Sequence, residues 1–530
     1  MSRWQLAGLV ALVACTGGAA TEGRTSPLTV GRRDEILTIG AHNEVLQVAA
    51  GDRLVFAATQ SGLIVYDALF RSWLPPFAVE NELRPTSTAL AADPTEDAVW
   101  LGTPGRIVYY RPRLDYAVSG GLPGTPDEIF FDRQDLGVGA YVRLGSRFVR
   151  VPRGGAGMYT TVTRVPPPEQ RVRSSTARDV FREYPSLETF LPLLTRGDDL
   201  EQWPVSAATS TPGRSEVWLG TRGNGLSRVD PMFNRAEHLP FGLLERGVGA
   251  VALAADGAWA GGLGRTGERS GLVFASSDLQ RWRWVDGPPS RPLAGVRVNT
   301  LAVRGRIAWI GTTRGLLRVD LDDDSRVDRW DASDGLPSDA VTSVAAGATG
   351  TWVGTGAGLA FVARAVNPIG ARVAVRDFLL WGDTLWIASD VGVLALTSPD
   401  SIPRRLSISD ARLGRDVSAI GRADSVVAVA SPAELIEIDV KRQAVLPPRA
   451  AAFASLQGIT RLTMDPHTIW LVGEGGVLAI HRASGRSAML PVGITLAAPP
   501  TSVVLATDVA WIGTRDGLVR LRRRADGMPP

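Results

Sequence analysis

The stretch WIGTTRGLLRVD at residues 309–320 decides the fold, because close copies of it recur along the chain. WLGTRGNGLSRVD begins at Trp218, WVGTGAGLAFVAR at Trp352 and WIGTRDGLVRLRR at Trp511. Weaker copies complete a set of eleven anchors: Phe56, Trp100, Tyr141, Trp218, Trp259, Trp309, Trp352, Trp386, Ala428, Trp470 and Trp511. Seven of the ten steps between them are 41 to 44 residues long, so the chain is built of repeats.

Each copy predicts two strands joined by a tight turn. An apolar strand ends in Gly-Thr, a polar turn follows, and a glycine opens the next strand: Gly225, Gly315, Gly358, Gly476 and Gly517. Glycine accepts a positive φ there without steric strain. Because an apolar strand precedes each pair and an outer strand follows it, one repeat resembles a β-propeller blade. We therefore predict an all-β propeller fold of about eleven four-stranded blades in two propellers, with a short helical insertion.

The boundary between the propellers is predicted from the shortest step, 34 residues from Trp352 to Trp386. That step leaves little room for an outer strand after residues 359–364. A blade without its outer strand marks the place where a ring closes with a strand from the N-terminus. Residues 27–30 and 36–39 are the candidate strands.

The resulting division assigns residues 27–364 to a first propeller of about seven blades and residues 365–530 to the second. The last repeat also lacks an outer strand after Arg523 and competes for the same N-terminal segments. A five-plus-six division, or one propeller interrupted by the other, therefore stays open.

The longest step, 77 residues, contains an insertion at residues 166–202. Ser175 and Ser186 are the predicted N-caps of two short helices at residues 176–184 and 187–195. The insertion is interpreted as a decoration on the propeller rim, and alternatively as a lid over the central mouth.

The full motif, DGLP at residues 334–337 and then TWVGTGAGL from Thr351, resembles the two-component-regulator propeller repeat. The resemblance covers about residues 40–523. It implies a periplasmic sensor propeller of bacterial signalling proteins. Because only seven residues follow Arg523, we expect a sensor propeller without the kinase.

The N-terminus predicts export. A short apolar run precedes LVAC at residues 12–15, which resembles the lipobox of bacterial lipoproteins. The resemblance implies a signal peptide over residues 1–14, lipidation of Cys15, and a tether over residues 15–26. Thr16 after the cysteine favours anchoring in the outer membrane. The alternative is an ordinary signal peptide with a chance cysteine, although this is the only cysteine in the chain.

Composition excludes several classes of protein. With 57 basic and 54 acidic residues the net charge is only +3, so the chain is not a polyanion-coating protein and no nucleic-acid partner is expected. One cysteine excludes an intramolecular disulfide. No two histidines stand at metal-ligand spacing, so no cofactor is expected: His42, His238, His467 and His481.

Two motifs are weighed for ligands. G-x-G-x-x-G at residues 262–267 matches a nucleotide-binding pattern, but it lies in a long hairpin loop rather than opening a helix. The segment DLDDDSRVDRWD at residues 320–331 offers candidate ligands for a structural calcium ion: Asp320, Asp322, Asp324 and Asp328. Ser325 stands where a calcium loop needs glycine, so a solvated turn is the alternative.

Arginines fall in or beside the Gly-Thr turns of the first seven repeats. If these turns share one face, they form a positive mouth suited to acidic saccharides or an acidic protein surface. The candidate binding residues are Arg106, Arg147, Arg222, Arg265, Arg269 and Arg314. Arginine is common throughout the chain, so chance is the alternative.

These observations predict a lipid-anchored, exported, non-enzymatic propeller that binds an envelope protein or a saccharide as a scaffold or sensor. One alternative is an envelope assembly factor, like the propeller lipoprotein of outer-membrane barrel assembly. A second is a calcium-dependent propeller lyase or lactonase, which would need carboxylates that converge on a central channel.

Overall fold

The computed structural model describes residues 21–22, 26–27, 35–77, 87–153, 158–196, 201–265, 268–285, 293, 295–323, 326–406, 408, 410–449 and 453–530. These residues form antiparallel sheets, nearly all of four strands, with two short α-helices. The prediction of an all-β propeller fold is confirmed. The predicted signal peptide, Cys15 and Asp324 lie outside the described residues.

The strands before the insertion are β1 (Thr21–Glu22), β2 (Ser26–Pro27), β3 (Ile36–Ile39), β4 (Val45–Ala50), β5 (Leu54–Thr59), β6 (Gly62–Asp67), β7 (Ser72–Phe77), β8 (Ala89–Ala92), β9 (Val99–Thr103), β10 (Arg106–Arg111), β11 (Tyr116–Gly121), β12 (Glu128–Asp132), β13 (Gly139–Leu144), β14 (Arg147–Pro152) and β15 (Met158–Val162). The insertion contains β16 (Arg171–Val172), α1 (Ala177–Glu183) and α2 (Leu191–Leu194).

The next strands are β17 (Val205–Ser210), β18 (Val217–Thr221), β19 (Leu226–Asp230), β20 (Arg235–Leu239), β21 (Val248–Ala254), β22 (Gly257–Gly262), β23 (Leu272–Ser276), β24 (Trp282–Val285), β25 (Val298–Arg304), β26 (Ile307–Thr312), β27 (Gly315–Asp320), β28 (Val327–Trp330), β29 (Val341–Ala346), β30 (Thr351–Thr355), β31 (Gly358–Val362) and β32 (Val366–Ile369). The last are β33 (Val375–Trp381), β34 (Thr384–Ser389), β35 (Gly392–Leu396), β36 (Arg404–Arg405), β37 (Ala419–Ala423), β38 (Val426–Ala430), β39 (Leu435–Asp439), β40 (Ala444–Val445), β41 (Arg461–Met464), β42 (Thr468–Gly473), β43 (Gly476–His481), β44 (Ser487–Pro491), β45 (Pro500–Leu505), β46 (Val509–Thr514) and β47 (Gly517–Arg522).

Residues 1–29 and 87–174 form one of two compact units. In its described part, one sheet has the order β2-β11-β10-β9-β8 and the other β1-β15-β14-β13-β12-β16. The inner strands β8 and β12 contact each other. Both sheets contribute to one buried apolar cluster that includes Trp100, Tyr109 and Phe131.

Residues 30–86 and 175–530 form the second unit, which contains a closed series of seven sheets. The inner strands β21, β25, β29, β33, β37, β41 and β45 contact one another in that order, and β45 also contacts β21. A buried apolar cluster lies at each of the seven contacts. These seven sheets are a propeller ring, called the ring below.

The strand β3 completes the last sheet of the ring. It pairs with β47, with Ile36 opposite Leu521 and Ile39 opposite Leu518. The structure thus differs from the predicted division, in which a first propeller ends at residue 364. Strand β32 supplies the fourth strand after β31, so no blade is left open there. The last repeat is the one that lacks an outer strand, and it pairs with residues 36–39.

Two further sheets, β4–β7 and β17–β20, pack against each other in the same unit and are called the sheet pair. The ring centroids of Tyr66 in β6 and Trp218 in β18 lie 5.7 Å apart. One apolar cluster, which includes Phe241 and Trp282, joins the pair to the ring.

The helical insertion packs on the β17–β20 sheet. Val180, Leu187 and Leu194 are buried against side chains of that sheet, including Val217 and Leu219. The N-cap of α1 is Thr176 rather than the predicted Ser175, because Thr176 and Asp179 form a reciprocal capping box. Residues 185–189, which start at a proline, form a 3₁₀ turn, and this shortens α2 relative to the prediction.

The glycine of each Gly-Thr is required by the neighbouring sheet. A Cβ added to Gly354 would lie 2.4 Å from Val375 Cγ1, and one added to Gly311 would lie 2.5 Å from Val341 Cγ1. No side chain fits at such distances, so the valine that opens the next inner strand packs directly on the glycine backbone.

A bulged residue in the inner strand adds a hydrogen bond to the same valine. Thr342 Oγ1 donates to the carbonyl oxygen of Val375 at 2.7 Å, and Asn299 Nδ2 donates to that of Val341 at 2.9 Å. We call the glycine, the valine and this hydrogen bond an inter-sheet joint.

The threonine of Gly-Thr closes the hairpin turn. Thr312 Oγ1 donates to the carbonyl oxygen of Gly315 at 2.8 Å and accepts from the Arg314 N–H at 2.9 Å. Gly315 has a φ of 107°, which confirms the positive φ predicted for this position.

Candidate functional site

A cleft of about 450 Å³ lies within the second unit, where the sheet pair meets the first sheet of the ring. Its wall is formed by the turns after β5 and β18 and by the segments that precede β4, β17 and β21. We call it the arginine cleft and define it by Asn43, Glu44, Trp203, Arg222, Arg246 and Arg269.

Arg269 is a buried structural cation of this cleft, only 7% exposed. Its Nη1 donates to the carbonyl oxygen of Gly223 and to Asn224 Oδ1, both at 2.9 Å. Its guanidinium lies 5.4 Å from the ring centroid of Trp284. These contacts fix the side chain and hold the β18–β19 turn against the ring.

Trp203 is brought to the cleft by the helical insertion. Its backbone N–H donates to the carbonyl oxygen of Thr195, directly after α2, at 2.7 Å. Its ring covers Gly223, where an added Cβ would lie 2.1 Å from the indole. Gly223 has a φ of 152°, so both its backbone conformation and the close approach of the ring require glycine.

Arg222 and Arg246 retain donor capacity at the cleft. Arg222 Nη1 lies 3.7 Å from Glu44, and Arg246 Nε lies 3.6 Å from Asp516, distances that are longer than hydrogen bonds. Within the described part of the chain, neither guanidinium donates a hydrogen bond. Two arginines therefore line one cavity, and each guanidinium is held by a long ion pair that leaves its N–H groups without a hydrogen bond to these residues.

The carboxylates at the cleft are more fully engaged. Glu44 accepts a hydrogen bond from Gln60 Nε2. Glu268 accepts from the Arg246 backbone N–H at 2.7 Å and lies 3.8 Å from Arg265. A ligand therefore meets unused donors more readily than unused acceptors.

The loop that carries the G-x-G-x-x-G pattern holds an internal carboxylate. Glu245, 3% exposed, accepts from the backbone N–H groups of Gly264 at 2.9 Å and Arg265 at 3.3 Å, and from Ser270 Oγ at 3.3 Å. Burial raises the pKa of Glu245 from 4.5 to about 7, partly offset by these hydrogen bonds. The same loop supplies Glu268 and Arg269 to the cleft.

Two of the four histidines lie beside the cleft, His42 buried and His238 half-buried, and both are neutral near pH 7. Burial lowers the pKa of His42 to about 3 and that of His238 to about 4. His42 Nδ1 lies 2.8 Å from Thr59 Oγ1, and His238 Nε2 lies 2.6 Å from the carbonyl oxygen of Asn224. Both stabilise turns.

The predicted binding arginines are separated. Arg222 and Arg269 line the cleft, whereas Arg265 donates through Nη2 to the carbonyl oxygen of Arg515 at 2.8 Å. Arg314 is exposed on the β26–β27 turn of the ring. Arg106 and Arg147 open β10 and β14 in the other unit. Trp203 and Arg246 were missed because they lie outside the repeat and follow no motif.

The described aspartates of the predicted calcium segment have local partners. Asp320 accepts from the Asp322 N–H at 3.1 Å and lies 3.3 Å from Arg306 Nε, while Asp328 pairs with Arg318 at 2.7 Å. Among the described residues, no three His, Cys, Asp or Glu side chains form a metal-binding group. Because Asp324 is outside those residues, structural calcium stays a prediction.

A half-buried carboxylate of the ring, Asp377, was not predicted. Asp377 in β33 accepts from the Ile420 N–H at 3.1 Å, and Ser343 Oγ lies 3.4 Å away, so it links three inner strands. Burial raises its pKa. Strand β37 pairs with β38 without the bulge that forms the inter-sheet joints. The hydrogen bonds of Asp377 link the inner strands there in place of a joint.

Comparisons with known proteins give structural similarity only. No protein-family model matches the chain, and no curated protein matches it. The extracellular domain of the one component system BT4673 from B. thetaiotaomicron is 14% identical, with 96% of this chain and 78% of that chain covered and a TM-score of 0.33. PorZ, a surface component of the type-IX secretion system of Porphyromonas gingivalis, is 13% identical, with 91% and 69% covered and a TM-score of 0.44.

Virginiamycin B lyase from Staphylococcus aureus is 11% identical, with 53% of this chain and 96% of that chain covered and a TM-score of 0.42. All of these identities are below 25% and all TM-scores below 0.5, so they carry no argument about function. The fold assignment rests on the sheets and joints described above. None of the helices in the described part of the chain has the length and apolarity needed to cross a lipid bilayer.

Proposed function

We propose that this chain is an exported β-propeller binding protein, anchored by a lipid on Cys15, that holds an acidic saccharide of the cell envelope in the arginine cleft. The observation that carries the proposal is the pair of arginines, Arg222 and Arg246, that line one cavity of about 450 Å³ and whose guanidinium groups form only long ion pairs within the described part of the chain. That volume is within the range of small-ligand sites.

The chemistry of the wall supports a saccharide over an acidic peptide. Asn43, Gln60 and Gln202 offer amides beside the indole of Trp203. Amides hydrogen-bond hydroxyl groups in both directions, and an indole presents an apolar face with a polar edge. The two arginines supply charge-assisted hydrogen bonds for a carboxylate. The proposed role is binding, with no reaction assigned.

Calorimetric titration tests the ligand class. We expect an oligogalacturonate to bind, the neutral galactose oligosaccharide to bind at least ten-fold more weakly, and polyglutamate to show no saturable binding. Loss of one charge-assisted hydrogen bond costs about 1.5–3 kcal/mol, so Arg222→Gln and Arg246→Gln should each weaken binding by roughly 10- to 150-fold.

Arg314→Gln is the matched control, because Arg314 lies exposed on the corresponding hairpin turn of the ring. It should leave the dissociation constant unchanged. Equal losses in Arg222→Gln and Arg314→Gln would mean that overall charge, and not the cleft, binds the ligand. Polyglutamate binding as tightly as oligogalacturonate would contradict the saccharide assignment.

Lipid anchoring has a separate test. Cells grown with radiolabelled palmitate should label the natural chain and leave Cys15→Ser unlabelled. Separation of the membranes by density should place the labelled chain in the outer-membrane fraction. Equal labelling of both chains would contradict the proposed anchor without affecting the cleft.

A further inference from the structure

Two hairpin turns of the sheet pair expose large apolar side chains. The β6–β7 turn carries Leu69 and Phe70, which are 59% and 65% exposed. The β19–β20 turn carries Met232 and Phe233, which are 76% and 66% exposed. These four residues are called the apolar turns. The exposure of their apolar side chains to water is unfavourable, and the fold itself does not require it.

The backbone of both turns is held by an aspartate. Asp67 Oδ1 accepts from the two exposed residues of the first turn at 3.0 and 3.1 Å. Asp230 Oδ1 accepts from those of the second at 3.2 and 3.3 Å. Arg71 and Asn234, the next residue in each turn, both have a φ of 52°. The two turns therefore have one geometry, which points their side chains away from the sheets.

The two turns belong to the two neighbouring sheets of the pair. Each connects the third and fourth strands of its sheet, so both leave the sheet pair at the same end. Tyr66, directly before the first turn, contacts Trp218, and Trp218 is paired with Arg228 at the base of the second.

Basic side chains accompany the apolar ones. Exposed Arg71 and Arg235 follow the two apolar pairs, and the guanidinium of Arg53 lies 4.6 Å from the ring centroid of Phe70. Both aspartates of the turns accept from the backbone, and Asp67 also pairs with Arg53 at 2.7 Å. Asp52 and Glu237 are exposed carboxylates of the same two sheets. The cations that follow the apolar tips, Arg71 and Arg235, are exposed, and an exposed cation beside an apolar tip is complementary to the headgroup region of an anionic bilayer.

We propose that the apolar turns insert into the surface of an anionic phospholipid bilayer and orient the sheet pair on the membrane. This contact is independent of the arginine cleft and of lipidation at Cys15. Two separate tips suit a fluid interface, which adapts to each of them, better than the single pocket of a folded protein partner.

A fluorescent label tests insertion directly. In a Cys15→Ser background the chain has no other cysteine, so Met232→Cys can be labelled at one site with an environment-sensitive NBD group. The matched control is Ile402→Cys, on the turn between β35 and β36 of the ring, where Ile402 is 70% exposed. Both chains keep the same N-terminus, so binding through that segment affects both labels equally.

With vesicles of phosphatidylethanolamine and phosphatidylglycerol, the label at 232 should shift to shorter wavelength, gain at least two-fold in intensity, and be quenched by brominated lipid, while the label at 402 stays unchanged. Phe70→Ser with Phe233→Ser should reduce vesicle binding at least ten-fold at unchanged melting temperature. An unchanged label at 232 on sedimented vesicles, or equal changes at 232 and 402, would overturn the proposal; a protein partner would give the first result.

Discussion

The closing contact of the ring and the contact within the sheet pair are two copies of one joint. In the ring, Gly513 faces Val248, and Thr501 Oγ1 donates to the carbonyl oxygen of Val248 at 2.7 Å. In the pair, Gly220 faces Val45, and Ser206 Oγ donates to the carbonyl oxygen of Val45 at 2.5 Å. The same residues of the repeat therefore place neighbouring sheets in both regions.

The two regions differ in what surrounds the joint. The ring contacts follow one another with short turns, whereas the pair is bordered by segments that belong to no repeat. Residues 202–204, at the end of the insertion and directly after it, and residues 244–246, before the ring, form walls of the arginine cleft. The comparison indicates that the repeat provides packing and that the non-repeating segments provide chemistry.

The glycines of the two joints should give the largest effects. A Cβ alone would lie 2.8 Å from Val248 Cγ1 at position 513 and 2.4 Å from Val45 Cγ1 at position 220, and Gly513→Val and Gly220→Val each add two further carbon atoms. Overpacking of this kind should lower the free energy of unfolding by about 2–4 kcal/mol, measured by urea denaturation. Gly356→Ala is the control, because its Cβ would meet nothing within 4 Å. A loss no larger than that of the control would contradict the joint.

The connection between pair and ring should depend on pH through Glu245. Because its pKa is raised from 4.5 to about 7, the folded chain binds this proton more tightly than the unfolded chain. The stability that this protonated carboxyl gives the folded chain is therefore complete below pH 4.5 and is lost as pH rises through 7. The free energy of unfolding should fall by about 3 kcal/mol in all.

Urea midpoints between pH 4.5 and 7.5 check this prediction. Glu245→Gln should remove the fall in stability over that range, while Glu188→Gln, at an exposed position of the insertion, should keep it. Parallel pH curves for the natural chain and Glu245→Gln would show that the carboxylate is ionised throughout and that the cradle stabilises the anion.

The hydroxyls of the joints should give the smallest effects. Thr501→Val and Ser206→Ala each remove one hydrogen bond to a valine carbonyl, which should cost about 1 kcal/mol. Because the joints are equivalent, the two losses in the free energy of unfolding should agree within about 0.5 kcal/mol. Ser186→Ala, exposed in the insertion, is the control. A loss in Thr501→Val alone would break the equivalence of ring and pair.

Local rules allowed the hairpins to be predicted from the sequence. Glycine at positive φ and threonine at the strand end are constraints within a few residues, so the copies at Gly315 and Gly517 point to the same turn. Residues 36–39 were predicted as a candidate closing strand because two repeats lack an outer strand. Which of the two sheets they complete depends on the meeting of strands more than 400 residues apart, so the sequence left that choice open, and in the structure they complete the last sheet.

The candidate site was predicted only in part. Arg222 belongs to a repeat turn and was found by its charge, but Arg246 and Trp203 lie in segments without periodicity. The G-x-G-x-x-G pattern shows the converse case, in which the local motif was found but the residue that it contacts was not. The backbone N–H groups of Gly264 and Arg265 within the pattern do bind an anion-type group, but that group is the carboxylate of Glu245, and no local pattern predicts which distant acid it will be.

The sequence by itself determined the strands and their turns, because each follows from steric limits within one repeat. The tertiary structure alone decided which seven sheets form the ring, where the insertion places Trp203, and which arginines share a cleft. Those outcomes depend on burial and on contacts between residues far apart in the chain. Alternative pairings of similar repeats differ in only a few side-chain contacts, so their free energies are close.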